Sequence, residues 1–282
     1  MNTMMNVNQV SFSYGRKKAK VLDGFSMNLE KGSVYGLLGK NGTGKSTLLY
    51  LMAGLLRPQS GNIRYKGVEV TKRYPETLQD MFLVPEEFAL PNVSLKQYVQ
   101  LNAPFYPRFS DELLKACLRD FDMNDDIHLG ELSMGQKKKA FMCFALATNT
   151  SLLLMDEPSN GLDIPSKSQF RKVIASGMTD DKAVIISTHQ VRDIDSLLDH
   201  VLIMDGSRLL LNESVASICD RLYFAEQGMN EPTEDALYVQ PSVQGNSVIL
   251  PNTYHEDSKL NLEVLFNATL AEREKIQQIF NR

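Results

Sequence analysis

The chain has 282 residues, and 43% of them are hydrophobic, which is ordinary for a globular protein with a sizeable core. Thirty basic and 34 acidic side chains give a net charge of −4, so no global basic field would recruit nucleic acid, and we expect no nucleic-acid partner. The cysteines, Cys117, Cys143 and Cys219, lie far apart in apolar helical patterns, which argues against a disulfide framework or a metal knuckle.

The first residues of the chain do not have the pattern of a targeting segment. Residues 1–15 lack a basic start followed by an apolar block, so we expect no secretory signal and a cytosolic protein. The longest apolar stretch, near residues 48–56, is interrupted by Gly54 and is far shorter than the ~20 residues of a membrane span. If the protein acts at a membrane, another chain must do the spanning.

The sequence pattern of the first part of the chain, up to residue 122, indicates five strands and two helical stretches. Alternating and apolar runs predict strands over residues 7–12, 25–29, 34–38, 61–70 and 81–84. A helix is expected over residues 45–55, stopped by Arg57 and Pro58. Residues 94–122 have a helical pattern, with Ser94 and Ser110 as N-caps.

The second part of the chain alternates strand and helix before its character changes. Residues 151–155 and 183–187 are apolar runs that lead into polar residues, as buried parallel strands do. A hairpin is predicted from runs at 201–204 and 208–211 around a turn at Asp205-Gly206. After about residue 213 come short β-like pieces and then a helix, at residues 236–239, 248–250 and 262–280.

The run GKNGTGKST, residues 39–47, fits the phosphate-binding pattern of a glycine, four residues and Gly-Lys-Ser, between a predicted strand and a predicted helix. Glycines let backbone N–H groups turn toward phosphate oxygens, and the helix dipole favours an anion. Lys45 would reach the β and γ phosphates and Ser46 would ligate Mg²⁺; a chance glycine loop is the weaker alternative. The predicted nucleotide contacts are Gly39, Asn41, Gly42, Thr43, Gly44, Lys45, Ser46 and Thr47.

The run LLLMDEP, residues 152–158, delivers two adjacent carboxylates at the end of a predicted strand. Asp156 is placed to hold Mg²⁺ through its water shell, and Glu157 could polarise the water that attacks the γ-phosphate. A solvated acidic turn is the alternative, but the buried strand and the phosphate loop favour the catalytic interpretation. His189 follows the second apolar run, and alone it would more often be structural.

Together these motifs resemble those of the ATP-binding cassette (ABC) ATPases, the nucleotide-binding subunits of transporters, over about residues 5–211. LSMGQ, residues 132–136, is similar to the family signature, and SNGLD, residues 159–163, to the loop that joins two nucleotide sites. His189 resembles the switch histidine, and Tyr14 the aromatic residue that stacks on adenine. The order and spacing of five motifs are far more specific than any single motif.

The resemblance implies a fold class: an α/β phosphate-loop NTPase (RecA-like) core with an antiparallel β subdomain and an α-helical signature subdomain at about residues 86–147. It implies an ABC ATPase domain over residues 1–212, followed by a small C-terminal accessory region over residues 213–282. It also implies a Mg²⁺-dependent ATPase that uses ATP and Mg²⁺ and whose catalytic residues are Lys45, Glu157 and His189.

The resemblance also suggests why three lysines, residues 137–139, stand at the positively charged end of a predicted helix, where lysine is unfavourable. In the family two subunits pack head to tail, and the signature of one covers the ATP bound by the other. The lysines would face that phosphate or an acidic neighbour, or would simply be solvated. The nucleotide contacts implied outside the phosphate loop are Tyr14, Ser133, Gly135, Gln136 and Asp163.

Two positions depart from the family pattern. The family usually has Gln after the strand at residues 81–84, where it senses Mg²⁺ and the membrane partner. This chain has Glu86 there, and we predict it as a metal ligand with Ser46 and Asp156. The signature has Met134 where glycine is commoner. Both changes occur in export-type subunits.

The leading hypothesis is an ATPase that dimerises around two ATP molecules, as a homodimer or a heterodimer of ATPase subunits. It would power a separate membrane-spanning transporter subunit docked on the helical lobe around residues 85–106. The protein would be cytoplasmic and peripheral on the inner face of the cell membrane. The VPEE loop, residues 84–87, which contains Glu86, favours export. A non-transport ABC ATPase acting on a soluble assembly and a regulatory module that cycles without turnover are the alternatives.

Overall fold

A computed structural model of the protein describes residues 3–15, 18–229, 231–243 and 245–280. Within these residues the chain forms thirteen strands in three sheets and nine α-helices. The strands are β1 (Thr3–Phe12), β2 (Leu22–Glu30), β3 (Ser33–Gly39), β4 (Ser60–Tyr65), β5 (Val68–Glu69), β6 (Met81–Val84), β7 (Leu152–Asp156), β8 (Ala183–Thr188), β9 (His200–Asp205), β10 (Arg208–Ser214), β11 (Leu222–Gln227), β12 (Tyr238–Ser242) and β13 (Gly245–Pro251). The helices are α1 (Lys45–Met52), α2 (Pro75–Leu78), α3 (Leu95–Asn102), α4 (Asp111–Asp120), α5 (Met134–Ala147), α6 (Ile164–Gly177), α7 (Val215–Arg221), α8 (Leu262–Ala271) and α9 (Arg273–Phe280).

The central sheet has six strands in the order β10-β9-β3-β8-β7-β6, and those from β9 to β6 run parallel. Strands β7 and β8 are buried along their whole length, as expected for a parallel sheet covered on both faces. Because β3, β8 and β7 are parallel neighbours, their carboxyl ends meet at one edge, where Leu38 pairs with Thr188 and Asp156 with Ser187. The predicted phosphate loop, acidic pair and histidine therefore leave the sheet side by side, and the predicted α/β class is confirmed.

An antiparallel sheet of order β2-β1-β4-β5 packs beside the core and forms one apolar cluster with α1 and with one face of β7. The single strand predicted over residues 61–70 is wrong, because Lys66 and Gly67 adopt left-handed φ values of 46° and 82°. Tyr65 pairs with Val68 across this two-residue turn, which separates β4 from β5.

Helix ends follow local capping chemistry. Ser94 and Ser110 are N-caps as predicted, and their hydroxyls accept hydrogen bonds from the N–H groups of Gln97 and Leu113. The first helix ends at Met52 rather than at residue 55, because Gly54 takes a φ of 67° and turns the chain before Pro58 is reached.

The hairpin of β9 and β10 is confirmed, although its two-residue loop is Gly206-Ser207, one residue later than predicted, since Asp205 pairs with Arg208. The β-like pieces predicted near residues 236–239 and 248–250 fall in β12 and β13, whereas β11 and α7 were not predicted. The helix predicted over residues 262–280 is interrupted at Glu272, which leaves helical geometry and separates α8 from α9.

The described part of residues 213–282, the predicted accessory region, packs on the core through α8. Leu265 and Ala268 are fully buried and belong to the same apolar cluster as Ile194 and Ile203 of the core. Ion pairs at the surface join Arg192 to Glu263 at 2.7 Å and Arg273 to Asp205 at 2.5 Å. Among the described residues, no helix combines the length and apolar character needed to cross a bilayer.

Candidate functional site

The predicted phosphate loop joins β3 to α1, and close packing requires glycine at positions 39 and 44. Gly44 caps α1 with a φ of 98°, and a Cβ there would stand 2.8 Å from Val21 Cγ1. A Cβ on Gly39 would stand 2.6 Å from Thr43 Oγ1 and 2.9 Å from the Met204 carbonyl oxygen. Asn41 and Gly42 are exposed, and Ser46 lies in the first turn of α1. The loop thus presents its backbone at the N-terminus of a helix, which is a favourable place for an anion.

Lys45 points into this loop rather than into solvent. Its ammonium donates hydrogen bonds to the carbonyl oxygens of Gly39 at 2.8 Å and Lys40 at 3.3 Å. It also lies 3.6 Å from Oε1 of Glu157, and both side chains are 6% exposed. Little water screens this pair, so the charge of the lysine acts strongly on whatever occupies the loop.

Asp156 ends β7 and is 1% exposed. Its Oδ1 accepts a hydrogen bond from Ser187 Oγ at 2.5 Å, whereas its Oδ2 is buried and has no hydrogen-bond partner in the part of the chain that the structure describes. Buried carboxylate oxygens are almost always satisfied. A free oxygen beside the phosphate loop therefore fits a hard cation such as Mg²⁺.

Glu157 has an unusual backbone and a fixed carboxylate. Its φ is 46°, in the left-handed region that non-glycine residues rarely adopt, and its N–H donates to the Ser187 carbonyl oxygen at 3.0 Å. Its Oε1 lies 2.8 Å from His189 Nδ1, although 32 residues separate the two along the chain. Because a carboxylate only accepts hydrogen bonds, the histidine carries its proton on Nδ1 in this contact.

Glu86 lies in the loop after β6 and is half-buried. Its Oε1 accepts a hydrogen bond from the Asn160 side-chain amide at 3.1 Å, and the Asn160 carbonyl oxygen accepts one from Lys138 Nζ at 2.7 Å. Burial lowers the pKa of the Lys138 ammonium, and Glu86 and Glu157 act in the opposite direction. Lys138, one of the three lysines that follow the signature, is thus turned toward Glu86 and Glu157.

Tyr14 lies next to the phosphate loop. Its hydroxyl is 3.0 Å from Thr47 Oγ1, and its ring meets Phe12 edge-on with centroids 5.0 Å apart. The side chain is 55% exposed, so one face of the ring is open to a planar ligand beside the loop.

The signature residues form a separate group. Ser133 caps α5 in a reciprocal capping box with Gln136, and both are exposed together with Met134. Asp163 caps α6 by accepting a hydrogen bond from the Ser166 N–H, and the Ser166 side chain, together with this N–H, lowers the pKa of its carboxyl. Within the described ranges, no hydrogen bond joins Ser133, Gln136 or Asp163 to the phosphate loop of the same chain.

Two contributors to this site were missed in the sequence: Ser187, which binds Asp156 and the backbone of Glu157, and Asn160, which binds Glu86. For Lys138, expected beside a phosphate, beside an acidic neighbour or in solvent, the structure shows a hydrogen bond to the Asn160 carbonyl oxygen. Ser187 could have been found as the last residue of its predicted strand, which has to lie beside the acidic pair. Asn160 carries no comparable signal, because its role depends on contacts that join helix α5, the loop after β6 and the loop after β7.

Comparison with known proteins agrees with this geometry. A family model described as "ABC transporter" matches residues 22–160. The bacitracin transport ATP-binding protein BcrA of Bacillus licheniformis is 30% identical over 216 residues, which cover 74% of this chain and 69% of BcrA. The chain belongs to the ABC transporter ATP-binding proteins. As a member of that family, it binds ATP and is an ATPase.

Two further comparisons show how widely the similarity extends. The zinc uptake system ATP-binding protein ZurA of Listeria innocua is 30% identical to this ABC ATPase over 226 residues, which cover 73% of this chain and 87% of ZurA. A solved structure of the ATP-binding subunit of an ABC transporter superposes with a TM-score of 0.69 at 23% identity, covering 77% of this chain and 92% of that one. The latter likeness shows the shared fold.

Proposed function

We propose that this ABC ATPase binds Mg²⁺-ATP on its phosphate loop and hydrolyses ATP with Glu157 as the general base. The observation that carries the proposal is the position of the Glu157 carboxylate, 3.6 Å from the loop lysine Lys45 and 2.8 Å from His189. The phosphates would be held by Lys45 and by the backbone from Gly39 to Thr47, with Asn41 and Gly42 at the exposed tip of the loop.

Ser46 and Asp156 are the proposed Mg²⁺ ligands, with Glu86 as a further oxygen donor. Among the described residues, no three His, Cys, Asp or Glu side chains are grouped so as to hold a metal by themselves. Mg²⁺ commonly takes only one or two carboxylates and completes its shell with phosphates and water, which suits the free Oδ2 of Asp156. When bound, the ion would neutralise charge on the β and γ phosphates.

In the hydrolytic step, Glu157 would take a proton from the attacking water. Its carboxylate is oriented by the Nδ1–H of His189, whose ring is 34% exposed and can therefore also face the substrate. Lys45 would stabilise the negative charge on the phosphates that the attack redistributes. A positioned general base contributes about 10²- to 10⁴-fold to a rate, so turnover should depend strongly on Glu157.

We further propose that two ATPase subunits pack head to tail, so that Ser133, Gly135 and Gln136 of one complete the ATP site of the other. The support is that the capped N-terminus of α5 faces solvent, next to Met134, which is 59% exposed. A helix N-terminus of this kind suits the γ-phosphate. Asp163 lies near Ile164, which is 86% exposed, and would line the same interface.

The proposed membrane-spanning partner would dock in a groove of about 660 Å³ between the core and the helical lobe. Leu55, which is 56% exposed, lines one side and Phe105, which is 69% exposed, lines the other. Such a groove suits the apolar face of a short helix. Docking there would place the ATPase on the inner face of the cell membrane. Export is the proposed direction, and it rests on the VPEE loop, residues 84–87. The names of the relatives give no common direction, since BcrA is named for transport of bacitracin and ZurA for uptake of zinc.

The partner can be captured by blocking hydrolysis. Tagged Glu157→Gln protein is extracted gently from native cells with Mg²⁺-ATP, and the proteins that stay bound are identified; Lys45→Ala serves as the matched control that cannot retain ATP. A multi-span membrane protein recovered with Glu157→Gln is the expected result. A soluble partner, or a second copy of the chain alone in the cytosolic fraction, would instead indicate a non-transport ABC ATPase.

A further inference from the structure

The turn that follows Glu157 is held from two sides, by Lys138 of α5 and by Glu86 of the loop after β6. The Asn160 N–H donates to the Glu157 carbonyl oxygen at 3.1 Å and closes the turn. Lys138 of α5 donates to the Asn160 carbonyl oxygen at 2.7 Å, and the Asn160 amide donates to Glu86 Oε1 at 3.1 Å. One side chain and its backbone thus connect α5, the loop after β6 and the loop after β7.

Glu157 requires such support because its backbone is strained. A left-handed φ of 46° in a non-glycine residue costs free energy and persists only where the surroundings determine it. On the N–H side, Glu157 is held by the carbonyl oxygen and the hydroxyl of Ser187. On the carbonyl side, the hydrogen bond is the one from Asn160, so the conformation of Glu157 depends on where Asn160 is fixed.

Among the lysines that follow the signature, Lys138 is placed for this role and Lys139 is not. Lys138 is half-buried and points toward the loop of Asn160. Lys139 points elsewhere, with its ammonium 3.4 Å from Gln169 Oε1 and over the ring of Phe121. The charge of Lys138 also lies near the carboxylate of Glu86.

We propose that Asn160 is a positioning residue for Glu157, anchored to α5 by Lys138 and to the loop after β6 by Glu86. The proposal rests on the catalytic role proposed above for Glu157. A shift of α5, which carries both Ser133 and Lys138, moves Asn160 and changes the orientation of the general base in the same chain. Lys45 on α1, which the proposed function assigns to ATP binding, touches Glu157 but donates its hydrogen bonds to Gly39 and Lys40 rather than to Asn160, so loss of Asn160 should lower kcat and spare ATP affinity.

The test variants are Asn160→Ala and Lys138→Met. The control is Lys115→Met, which makes the same change as Lys138→Met at an exposed position of α4. Turnover, ATP binding and thermal unfolding are measured on the full chain. Both test variants should lose roughly 10- to 100-fold in kcat, the scale of a small misplacement of a reacting group, with ATP affinity within about twofold of the parent. Parental kcat in either variant, or a loss of ATP affinity as large as the loss of kcat, would overturn the proposal.

A rescue pair separates the hydrogen bond from general damage to the loop. Asn160→Asp sets a carboxylate against Glu86 and should lower kcat further, and adding Glu86→Gln restores a donor opposite an acceptor and should raise kcat again. A double variant no faster than Asn160→Asp would contradict the proposal.

Glu157→Gln is run in the same series: if it keeps ordinary turnover, the role of Glu157 fails and the proposal fails with it. If Glu157→Gln loses turnover while Asn160→Ala keeps the kcat of the parent, only the positioning role of Asn160 is overturned.

Discussion

Tyr14 shows how one side chain can serve both the structure and the ligand. Its hydroxyl contacts Thr47 while its ring stays 55% exposed beside the loop. Tyr14→Ala should weaken ATP binding by about 1–3 kcal/mol if the ring stacks on adenine, whereas Tyr14→Phe removes only the hydroxyl and should keep most of the affinity. Calorimetric titration of both variants with ATP checks this. Equal affinity of Tyr14→Ala and the parent would mean that the ring only packs against Phe12.

At the scale of single residues, sequence reasoning reached those whose roles follow from their neighbours in the chain. Gly42 and Gly44 of the phosphate loop have left-handed φ values of 82° and 98°, which favour glycine, so the glycine pattern of the motif reflects local backbone geometry. The contact of Glu157 with His189 joins residues 32 positions apart, so it could be foreseen only through a known fold. The Asn160 contacts depend on a helix and two loops at once and were not predicted.

At the scale of elements, Asp80 ties three parts of the fold together at the sheet edge opposite the nucleotide site. Its carboxylate accepts hydrogen bonds from Tyr65 and Lys66 of the antiparallel sheet, from Arg108 of the helical lobe and from Ser151 before β7. Burial would raise the pKa of Asp80, but the hydrogen bonds from Lys66, Tyr65 and Ser151 outweigh it and the pKa is lowered. The ionised form is thus favoured in the folded protein.

Asp80→Ala should therefore lower the free energy of unfolding by about 2 kcal/mol at pH 7, because it leaves several donors without their acceptor. Since folding lowers the pKa of Asp80, its contribution is present above the ordinary aspartate value of about 3.9 and is lost as the pH falls through the folded value. Urea unfolding of parent and variant should converge below about pH 4. Asp181→Ala, which removes an exposed partner of Lys31, is the control; an equal effect would contradict the role of Asp80.

Element boundaries were predicted less well than the elements themselves. The split of residues 61–70 and the early end of α1 both depend on left-handed residues, Gly67 and Gly54, inside runs whose hydrophobic pattern continues. The break at Glu272 has a different backbone cause, since this residue has a φ of −117° and a ψ of 47°, but the apolar spacing of α8 and α9 does not reveal it either. Periodicity reports which face is buried, whereas a single φ value decides where an element stops.

At the scale of the whole molecule, the accessory region is part of the same apolar cluster as the ATPase core. Leu265 is fully buried between α8 and the core, so Leu265→Ala should lower the free energy of unfolding by about 2–5 kcal/mol. We expect one cooperative transition with an unchanged urea dependence. Val243→Ala, at a residue that is 93% exposed, is the control. A separate early transition, with the ATPase core unaffected, would show instead that the accessory region unfolds independently.

The docking of the accessory region could not be predicted from its sequence. Its short strands and its two helices carry apolar residues in the usual patterns, but nothing in them specifies which surface of the core they cover. The order of the six-stranded sheet could likewise be predicted only through the family resemblance. Strand β3, for example, lies between β8 and β9, which are far from it in the chain.

The most direct measurement of the central claim is phosphate release by purified Glu157→Gln protein, together with its ATP affinity. The account predicts that ATP binding is retained while turnover falls by at least about 100-fold, the scale of a lost general base. Lys45→Ala is the matched control and should lose ATP binding itself. Ordinary hydrolysis by Glu157→Gln, with intact ATP binding, would contradict the assignment of Glu157 as the base.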